Sequence, residues 1–87
     1  MKFQIGKLVA TPAILEAVPQ DEIFAALSRH VKCDWGNLCA EDWHLNNAAL
    51  HSSQRLFSVY HSAKGVKFYI ITEADRSSTT VLLPEDY

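Results

Sequence analysis

The sequence predicts one α+β domain over residues 1–87, an antiparallel sheet of three to four strands packed against about three helices. Residues 55–83 alternate with a period of two and are rich in β-branched and aromatic side chains. Residues 12–52 instead space their apolar positions as helices do, with breaks at Pro19 and at a segment carrying Gly36 and Asn37. A chain of 87 residues supports one modest core and leaves no length for a second domain.

Taken in order, residues 2–10 place Phe3, Ile5 and Val9 at odd positions and Lys2 and Gln4 at even ones, an N-terminal strand whose alternation Leu8 breaks. Thr11-Pro12 reads as a helix start, because threonine caps exposed amides and proline suits the first helical position. That helix runs to about Ala17, since Pro19 pushes its predecessor out of the α region. A second helix opens on Asp21 and Glu22, buries a stripe of Ile23, Phe24, Leu27 and Val31, and ends near Arg29, His30 and Lys32, where positive charge suits the dipole. Residues 33–39 form a loop anchored by Trp35. A third helix opens on Glu41 and Asp42, shows a weaker apolar face of Trp43, Leu45, Ala49 and Leu50, and frays near residues 51–53. Residues 55–61 and 66–73 make a hairpin through Ser62-Ala63-Lys64-Gly65, with glycine where a tight loop needs positive φ. Residues 74–78 are a polar turn, and residues 79–83 a last strand that Pro84 ends.

Composition narrows the function. The hydrophobic share of 48% and charged share of 21% are those of an ordinary globular chain. A net charge of −2 with interspersed signs gives no footprint for phosphates, so nucleic acid is a disfavoured partner. The N-terminus lacks a signal-like apolar run, and no stretch approaches the ~20 apolar residues that span a bilayer, so the expected location is cytoplasmic and away from the membrane. With only Gly6, Gly36 and Gly65, no glycine-rich phosphate cradle is available.

Three constellations merit chemical reading. His30, Cys33, Cys39 and His44 have the residue types of a tetrahedral zinc site, but their H-x2-C-x5-C-x4-H spacing lacks a tight knuckle; the expectation is no metal, no cofactor and two unbridged thiols. Either cysteine with a histidine, or Ser77 and Ser78 near Glu73 and Asp75, supplies nucleophile chemistry without a recognisable nucleophile motif. Arg55, Tyr60, His61, Lys67, Tyr69, Glu73 and Arg76 lie on or beside the predicted strands and have the acid, base and phosphate-binding types of a metal-independent ribonuclease. Alternation puts Lys67, Tyr69 and Glu73 on one side and separates Tyr60 from His61.

Residues 5–12 (IGKLVATP), 29–36 (RHVKCDWG) and 70–84 (IITEADRSSTTVLLP) together resemble the small proteins of bacterial plasmids and integrated mobile elements, often labelled type I restriction endonuclease subunit M or plasmid-related protein. The likeness covers nearly the whole chain and implies a mobile-element context. It does not imply methylation, because the chain has neither an N-P-P-Y/F-like motif nor the length for a sheet that holds S-adenosylmethionine. It directs attention to the H-x-x-x-D-W-G and T-E-A-D-R segments.

The expected function is therefore a non-enzymatic accessory or interaction module whose partner is another protein, with a small RNA-cleaving toxin as the alternative. The candidate binding residues are Asp34, Trp35, Glu73, Asp75 and Arg76, no catalytic residue being assigned. Both segments join regular elements, where a rigid scaffold presents binding groups. A bidentate pair from Arg76 to Asp34, Glu73 or Asp75 is expected to hold the two together.

Overall fold

The computed structural model describes residues 3–87, so Lys2 of the expected first strand lies outside the described residues. In chain order the elements are β1 (Lys7–Ala10), α1 (Pro12–Ala17), α2 (Gln20–Val31), α3 (Ala40–Ser52), β2 (Leu56–His61), β3 (Lys67–Thr72), β4 (Ser78–Leu82) and a closing 3-10 turn (Pro84–Asp86). This is an α+β fold with three helices and one four-stranded sheet of order β1-β4-β3-β2.

One expectation about the sheet is corrected: it is mixed. The pairs β2–β3 and β3–β4 are antiparallel, but β1 runs parallel to β4 with Leu8 beside Thr79 and Ala10 beside Val81. The helices between β1 and β2 supply the long crossover that parallel pairing requires. The first strand is also shorter than its period suggests. Gly6 sits at φ +61°, where a Cβ would fall 2.3 Å from the Ser77 carbonyl oxygen, so the chain turns there and β1 begins beside Ser78.

The register assigns the two faces of the sheet. Leu56, Ser58 and Tyr60 share a face with Phe68, Ile70, Thr72, Thr79 and Val81, and Phe57, Val59 and His61 share the other with Lys67, Tyr69, Ile71, Thr80 and Leu82. The first face is the core face. Ile14 of α1, Val18, and Ile23 and Ala26 of α2 close over Tyr60, Phe68, Ile70 and Val81. Trp35, Ala49 and Leu56 form a second cluster, with Phe3, Trp43 and Leu50 packed against it.

The helix starts follow local chemistry. The Ile14 amide donates to the Thr11 hydroxyl at 3.3 Å, Pro12 occupies the first turn of α1, and Asp21 and Glu22 stand in the first turn of α2. The buried stripe of α2 differs from the expected one: Ile23, Ala26 and His30 are buried, while Phe24 is 52% exposed. Likewise α3 buries Asn46 and Ala49 and leaves Leu45 62% exposed. Both departures have one cause: the sheet offers polar partners at these positions. The helix stripe therefore takes in a histidine and an asparagine.

Candidate functional site

The Asp34-Trp35-Gly36 segment locks the end of α2 to the outer edge of β2. The Asp34 amide donates to the Arg29 carbonyl at 2.9 Å, and the Asp34 carboxylate receives Arg29 Nε at 2.8 Å and a terminal nitrogen at 3.2 Å. Arg29 holds this carboxyl below its usual pKa, and the Asp34 oxygen that accepts from the Gly36 amide closes an Asx turn. Tyr60 donates its hydroxyl to the Asp34 carbonyl at 2.7 Å, and burial pushes that phenol up to about 12. Trp35 is fully buried and donates Nε1–H to Asn47 at 3.0 Å. Gly36 has φ +76°, and a Cβ there would lie 2.0 Å from the Val59 carbonyl oxygen. Only glycine fits.

Arg76 does not make the expected carboxylate pair. Asp34 is engaged by Arg29, and one Asp75 oxygen accepts from the Ser77 amide at 3.0 Å. The Arg76 guanidinium instead reaches the carbonyls of Ala49 at 3.0 Å, Gln54 at 2.6 Å and Glu73 at 3.1 Å. Its positive charge therefore sits at the carbonyl end of α3, where the helix dipole favours it. The two segments are joined through Phe3, whose ring lies 6.0 Å from Arg76 Cζ, 6.2 Å from the Trp35 ring and 5.3 Å from that of His30. Trp35 is thus buried in the packing, Arg76, Asp34 and Glu73 are half-buried, and Asp75 is exposed.

His30 belongs to a buried polar chain. Its Nδ1 lies 2.5 Å from the Ser58 hydroxyl and its Nε2 2.9 Å from that of Thr72, which in turn lies 2.8 Å from the Thr79 hydroxyl. Thr79 donates to the Ile5 carbonyl at 2.8 Å, and this fixes the direction of the whole chain. Thr72 must then donate to Thr79, Nε2–H to Thr72, and Ser58 to Nδ1, so the ring is the neutral Nε2–H tautomer with both nitrogens engaged. Burial supports this by lowering the His30 pKa to about 4. The ring is therefore not presented to a metal or a substrate. Among the described residues no group of three or more His, Cys, Asp or Glu is placed to hold a metal ion, and neither Cys33 nor Cys39 is in a disulfide.

The second face of the sheet carries an open groove. Leu38, Asp42, Leu45, Asn46, Arg55, Phe57, Tyr69 and Tyr87 line a groove of about 370 Å³. Its aromatic wall is ordered by mutual contact: Phe57 and Tyr69 have ring centroids 4.7 Å apart, and Tyr87 meets each at 5.9 Å. Arg55 donates to the Tyr87 hydroxyl at 2.5 Å, which fixes that ring at the rim. Volume and lining are those of a site that accepts apolar groups between a few polar ones.

Sequence reading missed this groove. Leu45 reads as part of the apolar face of α3 and Tyr69 as one of the ribonuclease-type side chains on the sheet, because the sequence does not say which face of the sheet the helices cover. The available signal was aromatic residues on both phases of the hairpin: Tyr60 and Phe68 on one side, Phe57 and Tyr69 on the other. No protein-family model, curated protein or solved structure matches the chain. Among the described residues no helix is long and apolar enough to cross a membrane.

Proposed function

We propose that the chain is a non-enzymatic protein-interaction module, an accessory protein of a mobile genetic element working in the cytoplasm, and that its partner docks in the groove on the second sheet face. The observation that carries this reading is the combination of an open aromatic groove with polar chemistry that is satisfied inside the fold. Leu45 and Tyr87 stand 62% and 63% exposed at the groove, apolar surface that a partner's aliphatic or aromatic side chain can cover. Asp42 and Arg55 supply one charge of each sign beside it. Such a rim selects orientation more than it adds affinity. The carboxylates of Asp34, Glu73 and Asp75 remain secondary contacts for the same partner, with Trp35 and Arg76 supporting them from within.

The test is recovery of partners from the native host, by crosslinking and mass spectrometry, with Leu45→Asp and Tyr69→Ala beside the unchanged protein. Proteins recovered by the unchanged chain and lost with both folded variants support the groove. Equal recovery by all three chains rejects it.

One arrangement favours the second reading, an RNA-cleaving toxin. His61 and Lys67 are cross-strand neighbours on the open face, with Tyr69 on the same side of β3, while Arg55 stands at the far end of β2. Tyr60 is buried on the opposite face and Arg76 is engaged by carbonyls, which leaves that set without two of its members. High-level expression of the unmodified protein without growth arrest or RNA degradation eliminates this reading.

A further inference from the structure

The two edges of the sheet are finished differently. At β2 the outward peptide groups of Phe57 and Val59 are filled: the Asn46 amide donates to the Phe57 carbonyl and accepts from its N–H, the Val59 amide donates to Trp35, and the Val59 carbonyl accepts from Asn37. At β1, among the described residues, no strand lies beyond the edge. Its pairing direction is set by the Lys7 amide donating to Ser77 and the Thr11 amide to Val81, with Leu8 beside Thr79. In a parallel ladder this turns the peptide groups of Lys7 and Val9 toward β4 and those of Leu8 and Ala10 outward. Leu8 and Val9 are 41% and 37% exposed, and residues 8–15 carry no charge. An edge of this kind is a template for another strand.

We infer that the β1 edge pairs with β1 of a second copy of this chain, antiparallel about a two-fold axis at Val9, joining two four-stranded sheets into one. Outward N–H and C=O groups in alternation accept an extended backbone and nothing else of comparable fit. The usable stretch is bounded by the left-handed turn at Gly6 and by Pro12, which has no N–H and opens α1, so it is only as long as β1 and Thr11. An axis at Val9 engages both outward residues, because Leu8 of each copy then faces Ala10 of the other in a hydrogen-bonded pair. An axis at Leu8 would instead call on Gly6, where the chain has already turned. With the axis at Val9, the two Val9 side chains meet across a non-hydrogen-bonded pair, the closest approach in a ladder. Each Lys7 falls opposite a Thr11 rather than opposite its own mate. The seam is short, which places the dimer in the weak, transient class. This inference does not rest on the groove, which lies toward the other edge.

Sedimentation equilibrium of the unchanged chain from about 10 μM to about 1 mM should show a reversible monomer–dimer equilibrium, in the range expected of so small a seam. Val9→Lys should raise the dissociation constant at least tenfold, because it sets like charges face to face at the axis. Mixing Val9→Lys with Val9→Glu should restore a one-to-one dimer, and circular dichroism should show each variant folded. Amide exchange should slow at Leu8 and Ala10 with rising concentration. Leu8→Pro, which removes an outward N–H that the chain's own sheet does not use, should also give a monomer. A chain that stays monomeric to about 1 mM overturns the inference. So does a dimer that survives Val9→Lys, or one whose protection falls on the groove residues instead of Leu8 and Ala10. If those two amides slow only when an extended apolar peptide is added, the edge takes a strand from another protein and the second copy is rejected.

Discussion

Acidification from pH 7 to pH 4 is expected to remove stability through His30. The ring is fully buried, and its contacts are the hydroxyls of Ser58 and Thr72 and the rings of Phe3 and Trp35. Burial lowers its pKa from the ordinary 6.5 to about 4. Between those values the unfolded chain takes up a proton at this residue and the folded chain does not. The unfolded state then binds more protons, so stability rises with pH across the window. The contribution is complete above about pH 6.5 and is lost as the pH falls toward about 4. Its size is on the order of 3 kcal/mol, a large part of the ~5–15 kcal/mol that stabilises a typical domain. Urea unfolding of the wild type and His30→Gln at closely spaced pH values measures it, because glutamine can donate and accept but does not titrate here. The variant should start less stable at pH 7 and lose little between pH 6.5 and pH 4, while the wild type falls toward it. Asp34 and Asp75 act lower on the scale: hydrogen bonds from Arg29 and Ser77 depress their carboxyls, so their contribution is present above pH 3.8 and lost below it. Parallel pH profiles for wild type and variant between pH 4 and pH 6.5 would refute the assignment of that window to His30.

Further predictions follow from single positions. Gly36→Ala should destabilise by about 3 kcal/mol or more in urea unfolding, because its Cβ meets the Val59 carbonyl at 2.0 Å as well as an unfavourable φ. Gly65→Val meets open space at φ +84° and should cost only about 1 kcal/mol of backbone strain, so the two melting curves should separate clearly. Arg76→Ala should lower stability by about 1–3 kcal/mol, since it strips partners from the carbonyls of Ala49, Gln54 and Glu73, and an unchanged melting midpoint would show that water replaces the guanidinium without loss. Strong chelator should leave the circular dichroism spectrum and melting midpoint unchanged, because both His30 nitrogens are engaged by hydroxyls; loss of the fold together with one zinc per chain would reverse that.

The elements were legible where local chemistry decides them. Thr11-Pro12, Pro19, Gly65 and Pro84 mark boundaries through φ preference and missing amides, and the structure puts boundaries beside each of them. What pairs with what was less legible, because it depends on contacts far apart in the chain. The parallel seating of β1 follows from Gly6 folding against Ser77, a contact across some seventy positions that no local pattern encodes. His30 and Asn46 were missed as interior residues for a related reason: a polar side chain reads as surface until its partners are known. The partners here are Ser58, Thr72 and the backbone of Phe57. Asp34, Trp35 and Arg76 each hold several contacts in the structure, and the sequence alone does not say whether such contacts serve the fold or a partner.

Asn46 connects these points to the open face. A helix laid over a sheet covers one face with an apolar stripe, whereas α3 contributes Asn46, Ala49 and the half-buried Trp43 and Leu50 to an edge. An edge presents peptide groups, so the helix that closes it needs an amide able to give and take one hydrogen bond, and leucine at that position would leave the Phe57 N–H and C=O without partners. With α3 committed to the edge, and α1 and α2 to the core face, no helix remains for the face that bears Phe57, Tyr69 and Ile71. The short turn after Pro84 and the Tyr87 ring cover part of it, and the groove is the part they leave. The opening therefore follows from the order of the elements, three helices for two faces and an edge. A change that moves α3 off the β2 edge would remove one wall of the groove and expose the edge together.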